Sequence, residues 1–455
     1  MQNPALAAHT YQKFSLPGPL NRYQYPRFMM RSEWWPGENH EAFTEWAMAQ
    51  GVEAFGVAPA RFPGRGLGMI ATRKIKKGDV VVQVPTTSIF TMERIPASFK
   101  EQFPEGTAVQ TIMAAYFTHG SDDELAEYEL WRKAWPTRRD FEDSLPLLWP
   151  AALGGLPLPD SDPNELQAEA NLLTPCISGK WPTIEKIIPM KQYDTEHQNL
   201  LLGQDIRLRK AWAHVTTIFP ETDWRLFSYY WLIINTRSFY WVAEGEEPPN
   251  DRNDAMAMLP FADYFNHADI ECDVKFNAEE YTLRATEDYE VGDEVYMSYG
   301  GHPNDFLLAE YGFILDKNES DCIYLDEIIL RDLNNRAKEE ELLLNQYYGN
   351  YQLTSHGVCY RTEVAACLKY MNEEDWRNHI LEGSTEGVDE KKTEAIIEGW
   401  IRAYAGEADA AMKYLQEAIT TNPVLQAHRS KAETLLRRWT QIKKICNNAL
   451  SVADQ

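Results

Sequence analysis

The spacing of apolar positions changes along the first part of the chain from a helical to an extended pattern. Residues 40–51 place apolar side chains three and four positions apart and end at a glycine, which predicts one helix. Residues 80–84 form a β-branched run that follows a turn at residues 76–79. We therefore predict a hairpin over residues 68–90.

A mainly helical region follows, and then the extended pattern returns. Helical spacing dominates from about residue 91 to 255, so we predict a helical insertion there. Its clearest helices are predicted over residues 121–135, 162–173, 205–219 and 222–241. Two short strands are predicted at residues 281–285 and 294–297, on either side of a turn at residues 291–293.

Nearly every segment beyond residue 323 has helical spacing. Helices are predicted over residues 325–346, 360–372, 387–404, 407–420 and 425–450. The stretch from Trp400 to Pro423 weakly resembles a single tetratricopeptide hairpin, but no second copy recurs at a fixed period. A plain helical bundle is therefore the interpretation that we prefer for this region.

These regions combine into one predicted layout of the α+β class. A β-rich domain is interrupted by a helical insertion and followed by an all-helical C-terminal domain. The predicted parts are an irregular arm over residues 1–38, the β-rich domain over residues 39–315 with its insertion over about residues 91–255, and the C-terminal domain over residues 316–455.

The charge balance restricts the kinds of partner that the chain can bind. The 455 residues include 44 basic and 69 acidic side chains, which gives a formal net charge of −25. Such a surface repels phosphate groups, so we expect no direct binding of nucleic acid. A basic partner, such as a protein segment that presents a lysine, is attracted to it.

Cysteine usage and hydropathy narrow the class further. The six cysteines include no Cys-x-x-Cys pair, so we expect neither a metal site nor a disulfide framework. No apolar run approaches the roughly 18 residues of a membrane span. The N-terminal residues lack the pattern of a signal peptide. We expect a monomer without a membrane segment, located inside the cell in the cytoplasm, the nucleus or both.

Two polar motifs interrupt the apolar pattern and are candidates for chemistry. Residues 64–68 hold three glycines in five positions, which allows the backbone to approach a ligand closely. This turn is not a phosphate-binding loop, and alone it is equally compatible with a simple glycine-rich turn. The Asn266-His267 pair follows an apolar run. His267 has no metal-ligand partners at suitable spacing, so locally a structural histidine is the simpler interpretation.

Two further motifs end in glycine. Residues 294–300 form a strand pattern that ends in Ser-Tyr-Gly, and residues 307–313 form a short helix pattern that ends in Tyr-Gly-Phe. Each could by itself be only the end of an element or a packing feature.

Taken together and in order, these motifs resemble the SET domain, in the branch of the Rubisco large-subunit lysine methyltransferase. The resemblance spans roughly residues 40–315. Its matching residues are the Gly-Arg-Gly-Leu turn in 64–68, Val84-Pro85, Thr236-Arg237-Ser238-Phe239, Asp263 with Asn266-His267, Ser298-Tyr299-Gly300 and Tyr311-Gly312-Phe313. Thr236 and Pro303-Asn304 depart from the usual residues of that branch, and both departures concern the edge of the predicted site.

The resemblance implies methyl transfer from S-adenosylmethionine to a protein side chain, foremost the lysine ε-amine of a non-histone protein. It implies that Tyr311 and Tyr299 are catalytic, with Tyr311 nearest the methyl group. The cofactor-binding residues that it implies are Arg65, Gly66, Leu67, Gly68, Arg237, Asp263, Asn266, His267, Tyr299 and Phe313. The helical C-terminal region resembles that branch's substrate-binding domain in composition.

Two alternatives remain open from the sequence. A relative within this branch methylates a histidine rather than a lysine, and the residues around Tyr311 would decide between an imidazole and an amine. A SET-like chain could also act as an inactive scaffold that recruits partners through its acidic surface. The intact Asn266-His267 pair and Tyr311 argue against loss of activity.

Overall fold

The computed structural model describes residues 34–160, 172–183, 193 and 195–453. Most of the predicted arm over residues 1–38 and most of the predicted helix over residues 162–173 lie outside the described residues.

The described strands form two four-stranded sheets, one three-stranded sheet and one two-stranded sheet. Their bounds are β1 Glu53–Ala54, β2 Val57–Phe62, β3 Gly66–Ala71, β4 Val80–Pro85, β5 Ser238–Tyr240, β6 Met256–Met258, β7 Asn266–His267, β8 Val274–Phe276, β9 Glu280–Arg284, β10 Glu294–Met297, β11 Ile323–Tyr324, β12 Gln352–Thr354 and β13 Gly357–Val358. The two larger sheets have the orders β1-β4-β9-β8 and β2-β3-β10-β7.

Strand β10 lies at the centre of the second sheet and joins distant parts of the chain. It pairs antiparallel with β3, where Glu294 is opposite Ile70. On its other side it pairs parallel with β7, where Tyr296 is opposite Asn266 and Met297 is opposite His267. This parallel pairing brings the Asn-His motif beside the strand that leads to Tyr299.

The predicted hairpin over residues 68–90 is wrong. Strand β3 pairs with β2 and β10, whereas β4 pairs with β1 and β9 in the other large sheet. The segment between β3 and β4 crosses from one sheet to the other beside the segment between β9 and β10. Ile75 and Tyr289 exchange backbone hydrogen bonds of 3.0 and 2.9 Å at this crossing. The turn at residues 76–79 therefore changes sheets instead of closing a hairpin.

Seventeen α-helices lie within the described residues. Their bounds are α1 Glu38–Ala49, α2 Ala97–Lys100, α3 Val109–His119, α4 Asp122–Leu125, α5 Glu129–Ala134, α6 Arg138–Ser144, α7 Pro175–Ser178, α8 Leu200–Ile218, α9 Trp224–Arg237, α10 Asn304–Tyr311, α11 Asp326–Leu333, α12 Arg336–Leu344, α13 Tyr360–Tyr370, α14 Glu373–Glu382, α15 Glu390–Thr421, α16 Pro423–Ala427 and α17 Arg429–Ala453. In the part of the chain that the structure describes, none of these helices is long and apolar enough to cross a membrane.

Helix α9 forms the centre of the insertion. Asp223 begins the helix by accepting a hydrogen bond of 2.8 Å from the Leu226 backbone N–H. Its apolar residues are buried on several faces, as in a helix enclosed by its neighbours. The helix ends at Arg237, earlier than the predicted residue 241, because Ser238–Tyr240 pairs with Met256–Met258 as β5 and β6.

The C-terminal region is built around the long helices α15 and α17. The two helices predicted over residues 387–404 and 407–420 form the single helix α15. The region was predicted to be all-helical. It is mainly helical, but it also contains the small sheet β11-β12-β13. These three strands are two or three residues long, too short for a period of two to be recognised in the sequence. The α+β fold class itself is confirmed.

A buried ion pair joins α17 to α10. The Arg438 side chain is fully buried and donates hydrogen bonds of 2.9 and 3.2 Å to the two carboxylate oxygens of Asp305. Its remaining amino group donates to Asp321 at 2.6 Å. Thr174 from the insertion adds a hydrogen bond of 2.7 Å to Asp305. Three regions of the chain therefore meet at one carboxylate.

Replacing Arg438 with methionine should strongly destabilise the protein. The change keeps most of the side-chain volume but leaves the Asp305 carboxylate buried without its cation, a loss of about 3–5 kcal/mol. The measurement is the free energy of unfolding from urea denaturation. The matched control is Arg437→Met, because Arg437 pairs with the largely exposed Asp316 and should lose less than about 1 kcal/mol. Equal losses in the two variants would contradict the prediction.

Candidate functional site

A cavity of about 250 Å³ lies where β5, β7 and β10 approach the C-terminal end of α10. The lining residues are Thr236, Arg237, Ser238, Phe239, Tyr240, Asp263, Phe265, Cys272, Val274, Tyr281, Met297, Ser298, Tyr299, Gly300 and Tyr311. They come from several segments that are far apart in the sequence, so the cavity exists only in the folded chain.

Two tyrosines face each other at this cavity. The Tyr299 and Tyr311 rings are 5.1 Å apart between centroids, at an angle of 48°. The Tyr299 hydroxyl donates a hydrogen bond of 2.6 Å to the Phe265 carbonyl. The Tyr311 hydroxyl makes no hydrogen bond to the residues that the structure describes. Burial, with a smaller effect from Glu310, raises the pKa of Tyr311 to about 12, so the hydroxyl keeps its proton at neutral pH.

His267 packs against Tyr299 and hydrogen-bonds to its backbone. The two rings are stacked with centroids 5.1 Å apart, and His267 Nδ1 accepts a hydrogen bond of 3.0 Å from the Tyr299 backbone N–H. Burial lowers the pKa of His267 to about 4, so the ring is neutral at physiological pH. Its Nε2 is buried without a hydrogen-bond partner among the described residues. His267 therefore fixes the position of Tyr299, and its Nε2 remains available for a further hydrogen bond.

Arg237 enters the cavity from the end of α9. Its Nη1 donates a hydrogen bond of 2.6 Å to the Asp263 carbonyl and lies 3.6 Å from the Asp263 carboxylate. Trp131 also donates to that carboxylate, at 3.0 Å. Burial raises the pKa of Asp263, and the charge of Arg237 opposes this rise. Arg237 Nε and Asp263 Oδ1 are buried without partners within the described ranges, so both retain capacity for a ligand.

A strained turn presents Asp263. Phe261 has a φ of 71°, a left-handed conformation that costs a non-glycine residue of order 1–3 kcal/mol. The Phe261 side chain is fully buried, so its packing holds the turn in place. Strain that is maintained by the surrounding core is frequent at functional sites.

Asn266 is fixed by groups that the sequence motifs did not connect. Its Nδ2 donates hydrogen bonds of 2.9 Å to the Leu67 carbonyl and 2.7 Å to Glu294 Oε1. Both donor interactions use the amide nitrogen, which leaves the Asn266 oxygen as an acceptor for a ligand. A Cβ atom at Gly68 would lie 2.7 Å from both Asn266 Nδ2 and Glu294 Oε1. Gly68 is therefore required for this close approach rather than for a special backbone conformation.

Arg65 covers the same cluster from the solvent side. Its Nη1 lies 2.8 Å from Glu294 Oε2 and also contacts the Tyr296 hydroxyl. The Glu294 side chain is 3% exposed, whereas that of Arg65 is 57% exposed. A buried carboxylate thus connects the glycine-rich turn to the Asn-His strand.

Glu310 holds the end of α10 in place. Its carboxylate accepts hydrogen bonds of 2.9 Å from Gln204, 2.7 Å from Arg207 and 3.0 Å from Asn235. These donors belong to α8 and α9 of the insertion. Because Tyr311 follows directly, the insertion helices determine where its ring lies.

The structure brings together several residues that the sequence analysis selected. Arg237, Asp263, Tyr299 and Tyr311 line the cavity directly. The others lie around it: His267 and Phe313 pack against the tyrosine rings, and Leu67, Gly68 and Asn266 form the adjoining cluster with Arg65. Gly66 is in the same turn, with a φ of 79°. Phe313 is not among the residues that line the cavity directly.

Other residues of the site were not predicted from the sequence. Glu294 gave no signal, because an acidic residue in a short strand is usually exposed. Phe239, Tyr240 and Tyr281 line the cavity. In the sequence they were predicted only as parts of a family motif, a helix and a strand. The position of Phe239 and Tyr240 directly after Arg237 could have indicated them. No cluster of three or more His, Cys, Asp or Glu side chains that could hold a metal ion occurs in the described ranges.

Comparison with known proteins agrees with this architecture. Residues 66–300, just over half of the chain, match the SET domain family. Residues 321–452 match the C-terminal domain of ribosomal lysine N-methyltransferase 2. The solved structure of Rubisco LSMT bound to AdoMet superposes with a TM-score of 0.55, at 15% identity, over 91% of this chain and 93% of that one.

Relatives in sequence extend over different lengths. SET domain-containing protein 4 of Homo sapiens is 23% identical over 88% of this chain and 88% of its own length. Ribosomal lysine N-methyltransferase 2 of Saccharomyces cerevisiae is 22% identical over 60% of this chain and 58% of its own length. Ribosomal lysine N-methyltransferase set11 of Schizosaccharomyces pombe is 30% identical over 32% of this chain and 37% of its own length.

Replacing Gly68 with alanine should lower the melting temperature. The added methyl group would force Asn266 and Glu294 apart, an overpacking cost of about 1–3 kcal/mol. The control is Gly406→Ala in α15, where a Cβ meets no atom within 4 Å. That change should raise the stability by about 0.5–1 kcal/mol. Thermal unfolding of the two variants checks the opposite signs, and a stabilised Gly68 variant would disprove the close contact.

Proposed function

We propose how this chain, which belongs to the SET domain family, binds its reactants and which protein it methylates. It is an S-adenosylmethionine-dependent protein-lysine N-methyltransferase. One observation carries the proposal: Arg237, Asp263, Tyr299 and Tyr311 line a single cavity. The cluster around Asn266 adjoins this cavity through the parallel pairing of β7 and β10.

Tyr311 is the proposed catalytic residue. Its hydroxyl is protonated and has no hydrogen bond to other described groups, so it is available to a lysine amine at the cavity. A group with a pKa of about 12 orients an amine without removing a proton from it at neutral pH. Tyr299 is the second proposed catalytic residue, as a wall fixed by its hydrogen bond to the Phe265 carbonyl. Catalysis then rests on positioning.

The unsatisfied polar atoms of the site fit the cofactor. S-adenosylmethionine supplies the methyl group on a sulfonium and carries an amino acid end with an ammonium and a carboxylate. The free oxygen of Asn266 suits the ammonium, and the unpaired Nε of Arg237 suits the carboxylate. We propose Arg65, Gly66, Leu67, Gly68, Asp263, His267 and Phe313 as the remaining residues that form or support the cofactor site.

The protonation of the substrate limits the reaction. Free lysine has a pKa of about 10.4, and only the neutral amine is a nucleophile. The rings of Tyr299 and Tyr311 line the cavity. An amine that enters beside these rings and the positively charged sulfonium is disfavoured as the ammonium form. The cavity therefore promotes loss of the amine proton before transfer.

A ribosomal protein is the proposed substrate. The match of residues 321–452 to the C-terminal domain of a ribosomal lysine N-methyltransferase supports this proposal, as do the relatives with that description. The C-terminal domain, proposed over residues 316–455, would recognise the substrate. The net charge of −25 favours a basic protein over nucleic acid. We propose that the enzyme acts as an intracellular monomer at a cytoplasmic or nuclear stage of ribosome synthesis.

Labelled methyl transfer tests the substrate and the role of Tyr311 together. Incubation with methyl-labelled cofactor and ribosomal proteins from cells that lack the enzyme should label one protein on lysine. Tyr311→Phe should lower the rate by about 100-fold or more, because the amine loses its orienting partner, while cofactor binding persists. Tyr116→Phe, a change of the same kind in helix α3 of the insertion and away from the cavity lining, should leave the rate unchanged.

The identity of the labelled amino acid decides between the alternatives. If the hydrolysed product contains methyl-histidine and no methyl-lysine, the residue that the enzyme methylates is a histidine. An absence of cofactor binding, measured by calorimetry, would favour the scaffold. Labelling confined to non-ribosomal proteins would disprove the ribosomal assignment while leaving the enzyme class intact.

Activity should rise with pH. The neutral fraction of the substrate amine increases by up to about tenfold per pH unit below its pKa. Tyr311 stays protonated in this range, because its pKa is about 12, and does not reverse the trend. Rates measured between pH 7 and 9 with saturating cofactor should increase. A flat profile would show that loss of the amine proton does not limit the reaction.

A further inference from the structure

Five aromatic side chains form a continuous surface at one side of the cavity. This aromatic ledge consists of Phe239, Tyr240, Trp241, Phe276 and Tyr281. Tyr240 is 49% exposed and Phe276 is 37% exposed, which places them among the few large apolar side chains on the surface. Exposed aromatic groups that adjoin a binding site frequently mark a contact surface.

The ledge is held together by its own ring contacts. Phe276 stacks on Tyr281 with centroids 5.4 Å apart at 15°, and Trp241 lies 5.2 Å from Phe276. Tyr240 is 6.2 Å from Phe276, and the Tyr281 hydroxyl donates a hydrogen bond of 3.4 Å to the Tyr240 carbonyl. Because the rings pack against one another, their positions are fixed before a partner binds.

The ledge is continuous with the candidate active site. Phe239, Tyr240 and Tyr281 line the same cavity as Tyr311. Val274 also lines it, and Phe276 is two residues further along β8, on the same face of that strand. Lys275, between them, points to the opposite face. A polypeptide whose lysine enters the cavity therefore passes over aromatic rings.

The segments that carry the ledge are strongly acidic. Residues 241–255 and 269–280 together contain ten Asp and Glu residues, whereas Arg252 and Lys275 are their only basic ones. The Glu244 carboxylate accepts a hydrogen bond of 3.0 Å from the Ala278 backbone N–H and joins the two segments beside the ledge. An aromatic surface carried by acidic segments favours a cation.

We propose that the aromatic ledge binds an arginine side chain of the substrate protein close to the lysine that is methylated. This inference rests on the proposed function and adds a sequence requirement to it. A guanidinium is planar and weakly hydrated, so it stacks on an aromatic ring more favourably than a lysine ammonium does. Glu244 and the acidic character of these segments stabilise its charge, and they repel an acidic residue at the same position.

Peptide binding tests the ledge independently of catalysis. The probes are fluorescein-labelled peptides that contain one lysine flanked by arginine, lysine, glutamine or glutamate, titrated by anisotropy against the full chain with S-adenosylhomocysteine. The arginine peptide should bind roughly tenfold more tightly than the glutamine peptide and measurably more tightly than the lysine peptide, which has the same charge.

Replacement of the exposed rings should remove this preference. In the double variant Tyr240→Ala with Phe276→Ala, the arginine and glutamine peptides should bind within about twofold of each other. Tyr240→Phe with Phe276→Tyr keeps both rings and should keep the preference. Leu202→Ala with Ile206→Ala alters two side chains of helix α8 that are 53% and 55% exposed and lie outside both the ledge and the proposed substrate-binding domain, and it should have no effect.

The outcomes separate the ledge from the enzyme function. Equal binding of the arginine and lysine peptides by the unaltered protein would overturn the proposal, because the net charge alone would explain it. An arginine preference that survives in the alanine double variant would also overturn it. Cofactor affinity, measured in parallel, should be unchanged in the Tyr240→Phe with Phe276→Tyr variant, which keeps both rings at the cavity. Labelled methyl transfer measures the proposed function separately, so either idea can fail alone.

Discussion

The buried ion pair between Arg438 and Asp305 is the constraint on which the arrangement of the site depends. Asp305 lies in the first turn of α10, and Tyr311 is the last residue of that helix. An arginine that is fully buried needs its two hydrogen bonds to the carboxylate, because an unpaired charge there would cost several kcal/mol. The C-terminal helix α17 therefore fixes the start of the short helix whose other end carries the proposed catalytic hydroxyl.

The opposite end of α10 is fixed by polar contacts of a different origin. Glu310 accepts hydrogen bonds from α8 and α9 of the insertion, and Gly312 ends the helix in a left-handed conformation with a φ of 84°. The insertion and the C-terminal region thus hold the helix from its two ends. The two large helical parts therefore determine the position of Tyr311 in a site whose other residues come mainly from strands. In the proposed reaction this positioning contributes to catalysis without a general acid or a general base.

The surface around the cavity complements its interior. Tyr299 and Tyr311 line the part of the cavity where the amine is proposed to react, which favours a neutral amine, whereas the acidic segments outside favour a cationic polypeptide. The two preferences act at different places and do not conflict. Attraction outside brings a basic segment to the cavity, and desolvation inside lowers the affinity of the lysine for its proton.

The sequence alone determined the α+β class, the helical insertion, the helical C-terminal region and the motifs around Asn266 and Tyr311, because these depend on local periodicity and on short runs of residues. Only the tertiary structure decided that β3 and β4 lie in different sheets, that Glu294 joins Asn266 to Gly68, and that the Tyr240 ring borders the cavity. Strand pairing and buried polar contacts depend on which distant segments meet. That choice is made by the packing of the whole chain, and no local pattern records it.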